Sequence, residues 1–260
     1  MTSRILDLEG VMNFRDYGDY ATAAGSHIHP GRLYRSAAHS LATDADLEVI
    51  DGLGIAVVVD LRRPTERARA PSRRPAGWTG QVIASDIGAH EEDDPWWDFV
   101  RDSDLSEDAF RTYLANYYID APFDERHVDA FSRYFTALAE VDGPVLIHCA
   151  AGKDRTGILA ALTHHLIGVH TDDILADYLL TNTAIGMDQR IPLMKQAIAD
   201  GIGREPTEAA ARVAMGVEEA YLAGAIDAIE KRHGSIDAYL KDVLGVDPAK
   251  RAKVEARLLR

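Results

Sequence analysis

The side chains best suited to chemistry sit together in residues 144–157, P-V-L-I-H-C-A-A-G-K-D-R-T-G. Cys149 is the only cysteine of the chain. A lone cysteine is ordinarily a small buried hydrophobe, but its neighbours here predict otherwise. An apolar run delivers the chain to His148, a short loop follows, and Arg155-Thr156-Gly157 opens a helix. The backbone N–H groups of Ala150, Ala151, Gly152, Lys153, Asp154 and Arg155 can then converge on one centre at a helix N-terminus, which favours an anion. The same field favours the cysteine thiolate. Arg155, six residues on, supplies a planar fork able to grip two phosphoryl oxygens while charge redistributes. A soft nucleophile, a nest of donors and a fixed guanidinium are the parts for attack on a bound phosphate. The nucleotide-binding pattern G-x-x-x-x-G-K-[ST] fails twice: Ile147 stands at the first glycine and Asp154 follows the lysine.

The elements that must position this loop follow from periodicity. Ile55–Asp60, Gln81–Ser85 and Val145–His148 read as strands, and their short continuous apolar runs suit a sheet covered on both faces. Helices are expected over Thr43–Gly52 and Asp124–Glu140, and almost throughout the chain after Arg155: Thr156–Ile167, Asp172–Leu180, Ile191–Asp200 with Pro192 in its first turn, Thr207–Ala214, Val217–Lys231, Ser235–Leu244 and Pro248–Leu259. Strands alternating with helices, then helices alone, predict an α/β class with a helical C-terminal region in one domain spanning 1–260. The stretch 89–122 stands apart. It is acidic at Glu91, Glu92, Asp93 and Asp94, carries Trp96, Trp97 and Phe99, and continues into an amphipathic helix over Ser106–Ile119. A loop and helix inserted between core strands form a candidate lid.

Composition removes several function classes. With 28 basic and 42 acidic side chains the formal net charge is −14, which argues against a nucleic-acid footprint. One cysteine makes no internal disulfide and no cysteine-rich zinc site. His27 and His29 share one face of an extended segment, and His164, His165 and His170 cluster near a helix. No H-E-x-x-H spacing accompanies them, so neither a metal nor another cofactor is expected. The longest uncharged run, Thr156–Thr171, is too short and too polar to cross a bilayer. No basic-then-apolar leader is visible at the amino terminus, so the expected location is cytoplasmic, and export would need another route.

His-Cys-Ala-Ala-Gly-Lys-Asp-Arg-Thr-Gly resembles the signature loop of the cysteine-dependent protein tyrosine phosphatase superfamily. Gly-Lys-Asp-Arg-Thr-Gly within it is similar to the bacterial lipid and protein tyrosine phosphatases of the mycobacterial tyrosine phosphatase B type. Asn13-Phe14-Arg15-Asp16, Leu33-Tyr34-Arg35-Ser36, Asp60-Leu61-Arg62, Ala176–Asn182 and the segment from His233 to Leu240 carry the likeness along nearly the whole chain. The resemblance implies a phosphatase fold, a central sheet flanked by helices with a helical lid over the site. It also implies hydrolysis of phosphate monoesters, of a phosphorylated protein, lipid or small molecule, through a cysteinyl-phosphate. Tyr17, Asp19 and Ala150 depart from the usual residues at their positions and bear on substrate preference.

By that resemblance His148 orients the loop and favours the thiolate; a buried structural histidine is the competing reading. Thr156 can hydrogen-bond the sulfur and ease its departure. Two carboxyls compete as general acid: Asp154, favoured by its place inside a Lys-Asp-Arg loop, and Asp86, where many tyrosine phosphatases carry an acid on a mobile loop. Lys153 is expected as a second cation at the mouth, of the kind shared with lipid phosphatases, which implies relaxed specificity. Arg15, Arg35 and Arg62 either brace the loop, meet substrate or form ordinary ion pairs. The competing functions are a metabolic phosphatase, a metal-dependent hydrolase, a sulfur transferase and a phosphate-ester binding module without turnover.

Overall fold

Valine occupies three successive positions in Val57–Asp60, and branching at Cβ favours the pleated backbone they adopt. In the computed structural model, which describes residues 4–89 and 94–260, this strand is β3. It pairs in parallel with β4 (Gln81–Ala84) and with β5 (Val145–His148). β5 pairs in parallel with β2 (Leu33–Ser36), and β1 (Arg15–Asp16) closes that edge antiparallel to β2. The sheet order is β1-β2-β5-β3-β4. Alternation along the strands sends Val57, Val59, Val145 and Ile147 into a large core, and Tyr34, Val58 and Leu146 into a smaller one. Helix α1 (Asp44–Gly52), held by a Thr43–Asp46 capping box, covers the smaller core with Leu47 and Ile50. Helices α5 (Glu125–Glu140), α6 (Asp154–Leu166), α11 (Glu219–His233), α12 (Ile236–Asp242) and α13 (Pro248–Leu258) contribute to the larger one.

The register aligns Ser36, His148 and Asp60 at the C-terminal ends of β2, β5 and β3. The chain leaves the middle strand there as Cys149, the rim where α/β sheets bind their ligands. Residues of α2 (Pro64–Arg69), α3 (Pro95–Asp102) and α4 (Glu107–Asp120) surround the cavity at that rim, joined from the second half by α9 (Met187–Ile202) and α10 (Glu208–Met215). Helices α7 (Thr171–Leu179) and α8 (Thr181–Ala184) connect α6 to them. A third apolar cluster joins Val100, Phe110, Ile198 and Ala210, tying α3 and α4 to α9 and α10. Gly201 permits that packing, because a Cβ there would stand 2.7 Å from the ring of Trp97.

The α/β expectation and the three strands agree with the structure within two residues at either end. Several elements differ. β1 and β2 were hidden from an apolar-run search because Arg15 and Arg35, both fully buried, interrupt the pattern. The stretch 89–122 contains α3 as well as the expected helix, and it is roofed jointly with α9 and α10; Glu91, Glu92 and Asp93 lie outside the described residues. Pro192 lies inside α9 rather than in its first turn, since the helix starts at Met187. α6 starts at Asp154, two residues before the predicted Thr156.

Candidate active site

The loop after β5 is shaped by what its carbonyls find. Ala38 N donates to Ala150 O at 3.0 Å, and Asn13 Nδ2 donates to Ala151 O at 3.2 Å and to Gly152 O at 2.8 Å. Arg35 Nη2 adds a second donor to Gly152 O at 3.1 Å. A trans peptide points its N–H opposite its C=O, so the N–H groups of Ala151, Gly152 and Lys153 turn away from this bracing shell. Gly152 makes the turn at φ +68°, where a Cβ would also fall 2.3 Å from Ser36 O; only glycine fits. Cys149, Ala150, Ala151, Lys153, Asp154 and Arg155 thereby line one cavity of about 360 Å³. Cys149 is free and buried at its floor.

Arg155 reaches this cavity already gripped. Its Nη1 and Nη2 donate to Glu66 Oε2 and Oε1 at 2.6 and 2.9 Å, and Nη1 also reaches Leu61 O at 3.1 Å. Burial alone would raise the Glu66 carboxyl and lower the guanidinium. Their mutual attraction wins, holding Glu66 down at about 2 and Arg155 well above its ordinary value. Both therefore stay charged across the working range. Glu66 in turn accepts from Arg63 N at 2.7 Å, so the first turn of α2 fixes the arginine's orientation.

Asp154, the first residue of α6, accepts from Tyr118 Oη at 3.0 Å through Oδ1. Lys153 Nζ stands 3.5 Å from the same oxygen. The lysine is not a solvated cation at the mouth. It is buried, and its ammonium donates to Ala214 O at 2.7 Å and Gly216 O at 3.2 Å, the carbonyls at the end of α10. Thr156 Oγ1 is buried and finds no hydrogen-bond partner among the described residues, so it does not bond back along its own helix. His148 is fully buried, and burial pulls it down to about 4 although Asp60 opposes this. The neutral ring donates from Nδ1 to Cys149 O at 3.3 Å and stacks on His39 at 5.2 Å between centroids.

Behind the loop lies a buried ionic hub. Asp177 on α7 accepts from Arg15 Nε at 3.2 Å and from Arg35 Nη1 at 2.6 Å. Arg15 also donates to Asp177 O, Thr181 Oγ1 and Asn13 Oδ1. Arg35 and Asn13 both reach Gly152, so the hub sets the loop's position rather than touching the cavity. Arg62 is likewise committed, in an ion pair with Asp60 at 2.7 Å.

The structure does not bring Asp86 to the cavity. Its side chain is 82% exposed and pairs with Arg67 outside the site. The histidines weighed as ligands are dispersed as well: His164 Nε2 meets Tyr17 O at 2.7 Å, and His165 lies 3.5 Å from Asp237. Among the described residues no group of three His, Cys, Asp or Glu side chains is arranged to hold a metal ion. No helix among the described residues is long and apolar enough to cross a membrane. Sequence reasoning assigned no role to Glu66, Asn13, Tyr118 or Asp177, although Asn13 and Asp177 lie in segments that carry the resemblance. Glu66 carried a signal, an acid at the third position of a helix opened by Pro64; Tyr118 reaches the site only through the fold.

A model of the tyrosine phosphatase family matches residues 6–260. Triple specificity protein phosphatase PtpB of Mycobacterium tuberculosis is 34% identical, over 92% of this chain and 93% of that one. A candidate tyrosine-protein phosphatase of Cupriavidus necator is 35% identical, over 94% and 85%. A tyrosine-protein phosphatase of Nostoc commune is 27% identical, over 83% and 70%. The solved structure of TpbA from P. aeruginosa superposes at a TM-score of 0.30 with 19% identity, covering 80% of this chain and 96% of that one. A buried cysteine under a braced turn, a clamped arginine beside it and a family match along almost the full length lead to one assignment: the chain belongs to the tyrosine phosphatase family and is a phosphatase of the bacterial PtpB type.

Proposed function

We propose that this phosphatase hydrolyses phosphotyrosine through a cysteinyl-phosphate, with Cys149 as nucleophile, Arg155 and the loop amides as the phosphoryl cradle, and Asp154 as general acid. The convergence of Cys149, Arg155 and Asp154 on one cavity carries this reading. In the first step Cys149 Sγ forms a bond to phosphorus as the ester P–O bond breaks in line, and the leaving oxygen takes the proton of Asp154. In the second, water attacks phosphorus and gives a proton back to Asp154, and the sulfur leaves as thiolate. The buried hydroxyl of Thr156, without a partner among the described residues, suits a donor to that departing sulfur. Arg155 and the amides of Ala150, Ala151, Gly152 and Lys153 hold the equatorial oxygens throughout. His148 is a positioning residue for the Cys149 carbonyl and holds no proton for the reaction.

Trp96, Tyr113, Tyr117 and Leu114 make an apolar wall over the loop, which suits an aryl ester, and the 89–122 insertion acts as the lid that carries it. Arg63 and Arg69 lie at the rim. Phosphoserine, phosphothreonine and phosphoinositides are secondary substrates in this reading, favoured by the triple specificity in the name of the mycobacterial relative. Comparison of Asp154→Asn and Asp86→Asn on alkyl and nitrophenyl phosphates tests the assignment. Asp154→Asn is expected to lose about 10²–10³-fold on alkyl phosphates and far less on p-nitrophenyl phosphate, which needs no acid. Normal alkyl phosphate turnover by Asp154→Asn, or a selective loss in Asp86→Asn, refutes it.

A further inference from the structure

Tyr118 and Tyr178 are fully buried, yet their hydroxyls form a directed chain that ends on the cavity. A carboxylate oxygen can only accept, so the 3.0 Å contact requires Tyr118 Oη to donate to Asp154 Oδ1. With its proton so committed, Tyr118 Oη accepts from Tyr178 Oη at 2.7 Å. The two rings meet edge to face, 6.2 Å between centroids, one from α4 and one from α7. Tyr178 reaches this position because residue 157 lacks a side chain: a Cβ on Gly157 would approach its ring to 2.9 Å. Asp154 Oδ2, by contrast, accepts no hydrogen bond from the described residues, while the residue lines the cavity.

We propose that Tyr118, oriented by Tyr178, is a positioning residue that aims Asp154 Oδ2 at the leaving oxygen and steadies the carboxylate left after proton transfer. The inference rests on the reading of Asp154 as general acid. The proton on Oδ2 passes to the leaving oxygen as the P–O bond breaks. Tyr118 keeps its own proton and shares it more strongly with Oδ1 as negative charge develops there. A charge-assisted bond of this kind is stronger than its neutral counterpart, so its gain is realised in the transition state rather than on binding.

The groups facing Asp154 come from its own loop and from three helices. On the loop stand Lys153, Arg155 and Cys149. From α4 come Tyr113 and Tyr117 beside Tyr118, from α7 Tyr178, and from α11 Tyr221. Burial pushes every one of these phenols upward, Tyr113 and Tyr221 to about 12 and the others beyond, so all stay protonated.

The test compares kcat and KM of Tyr118→Phe, Tyr178→Phe, Asp154→Asn and Tyr118→Phe/Asp154→Asn on p-nitrophenyl phosphate and an alkyl phosphate. Phenylalanine keeps the ring packing and removes only the hydroxyl. Tyr118→Phe is expected to lower alkyl phosphate kcat about tenfold with KM within about twofold, and to leave p-nitrophenyl phosphate turnover within about twofold. Tyr178→Phe is expected to give the same pattern at smaller size, and the double variant to be no worse than Asp154→Asn. Equal losses on both substrates, a loss carried by KM rather than kcat, or additive losses in the double variant overturn the inference while Asp154 stands. If Asp154→Asn itself shows no leaving-group dependence, the reading of Asp154 and the inference fall together.

Discussion

Replacing Asp177 with asparagine leaves two fully buried guanidiniums, Arg15 and Arg35, facing a neutral amide. Burial by itself would raise the Asp177 carboxyl, but Arg15 and Arg35, with His164 beyond, hold it far below the usual carboxylate range. Removing one partner of such a buried set costs about 3–5 kcal/mol, because the charges left behind stay desolvated. For 260 residues, an unfolding entropy of about 2.1 cal/mol/K per residue gives about 0.55 kcal/mol/K, so the expected fall in Tm is about 6–9 °C. Asp86→Asn is the matched control, since it removes a carboxylate from an arginine pair at the surface, where the pair contributes about 0–1 kcal/mol. Thermal unfolding followed by circular dichroism reads both. Activity well below Tm should also fall in Asp177→Asn, because Arg35 loses the anchor from which it holds Gly152 O. A Tm drop under about 2 °C, or one no larger than the control's, refutes the hub as the loop's foundation.

Glu66→Gln removes the charge that clamps Arg155 and one of its two acceptor oxygens; kcat on p-nitrophenyl phosphate is expected to fall about 10–100-fold, and a change within twofold contradicts the clamp. Acid should erode stability before the carboxylates protonate. Burial holds His127 and His148 at about 4 against an ordinary 6.5, so between those values the unfolded chain binds protons that the folded one refuses. Their stabilisation is complete above about pH 6.5 and lost as pH falls toward 4, by up to about 1.4 kcal/mol per pH unit for each histidine. Glu66 and Asp124, held near 2, extend the loss from about pH 4.5 downward. A Tm unchanged between pH 7 and 4.5 contradicts this.

What could be read from the chain alone was what is local. Cys149, Arg155 and the amide nest lie within seven residues, and β5 delivers them from an uninterrupted apolar run, so site and strand were legible together. Glu66, Asn13, Tyr118 and Asp177 reach the loop from four other parts of the chain, and no spacing rule links them to it. The same distance hid β2: Leu33-Tyr34-Arg35-Ser36 looks half polar until Asp177, from α7, neutralises Arg35. Lys153 shows the converse. Its place beside Asp154 was evident, but its commitment to Ala214 and Gly216 depends on α9 and α10 folding back over the site.

The role of Cys149 is tested most directly by rapid acid quench during p-nitrophenyl phosphate turnover, followed by peptide mass analysis. A phosphoryl group on the peptide bearing Cys149, formed as fast as the first equivalent of nitrophenol and absent with inactive Cys149→Ser, is the predicted result. Phosphate on another residue, or turnover that survives in Cys149→Ser, contradicts it.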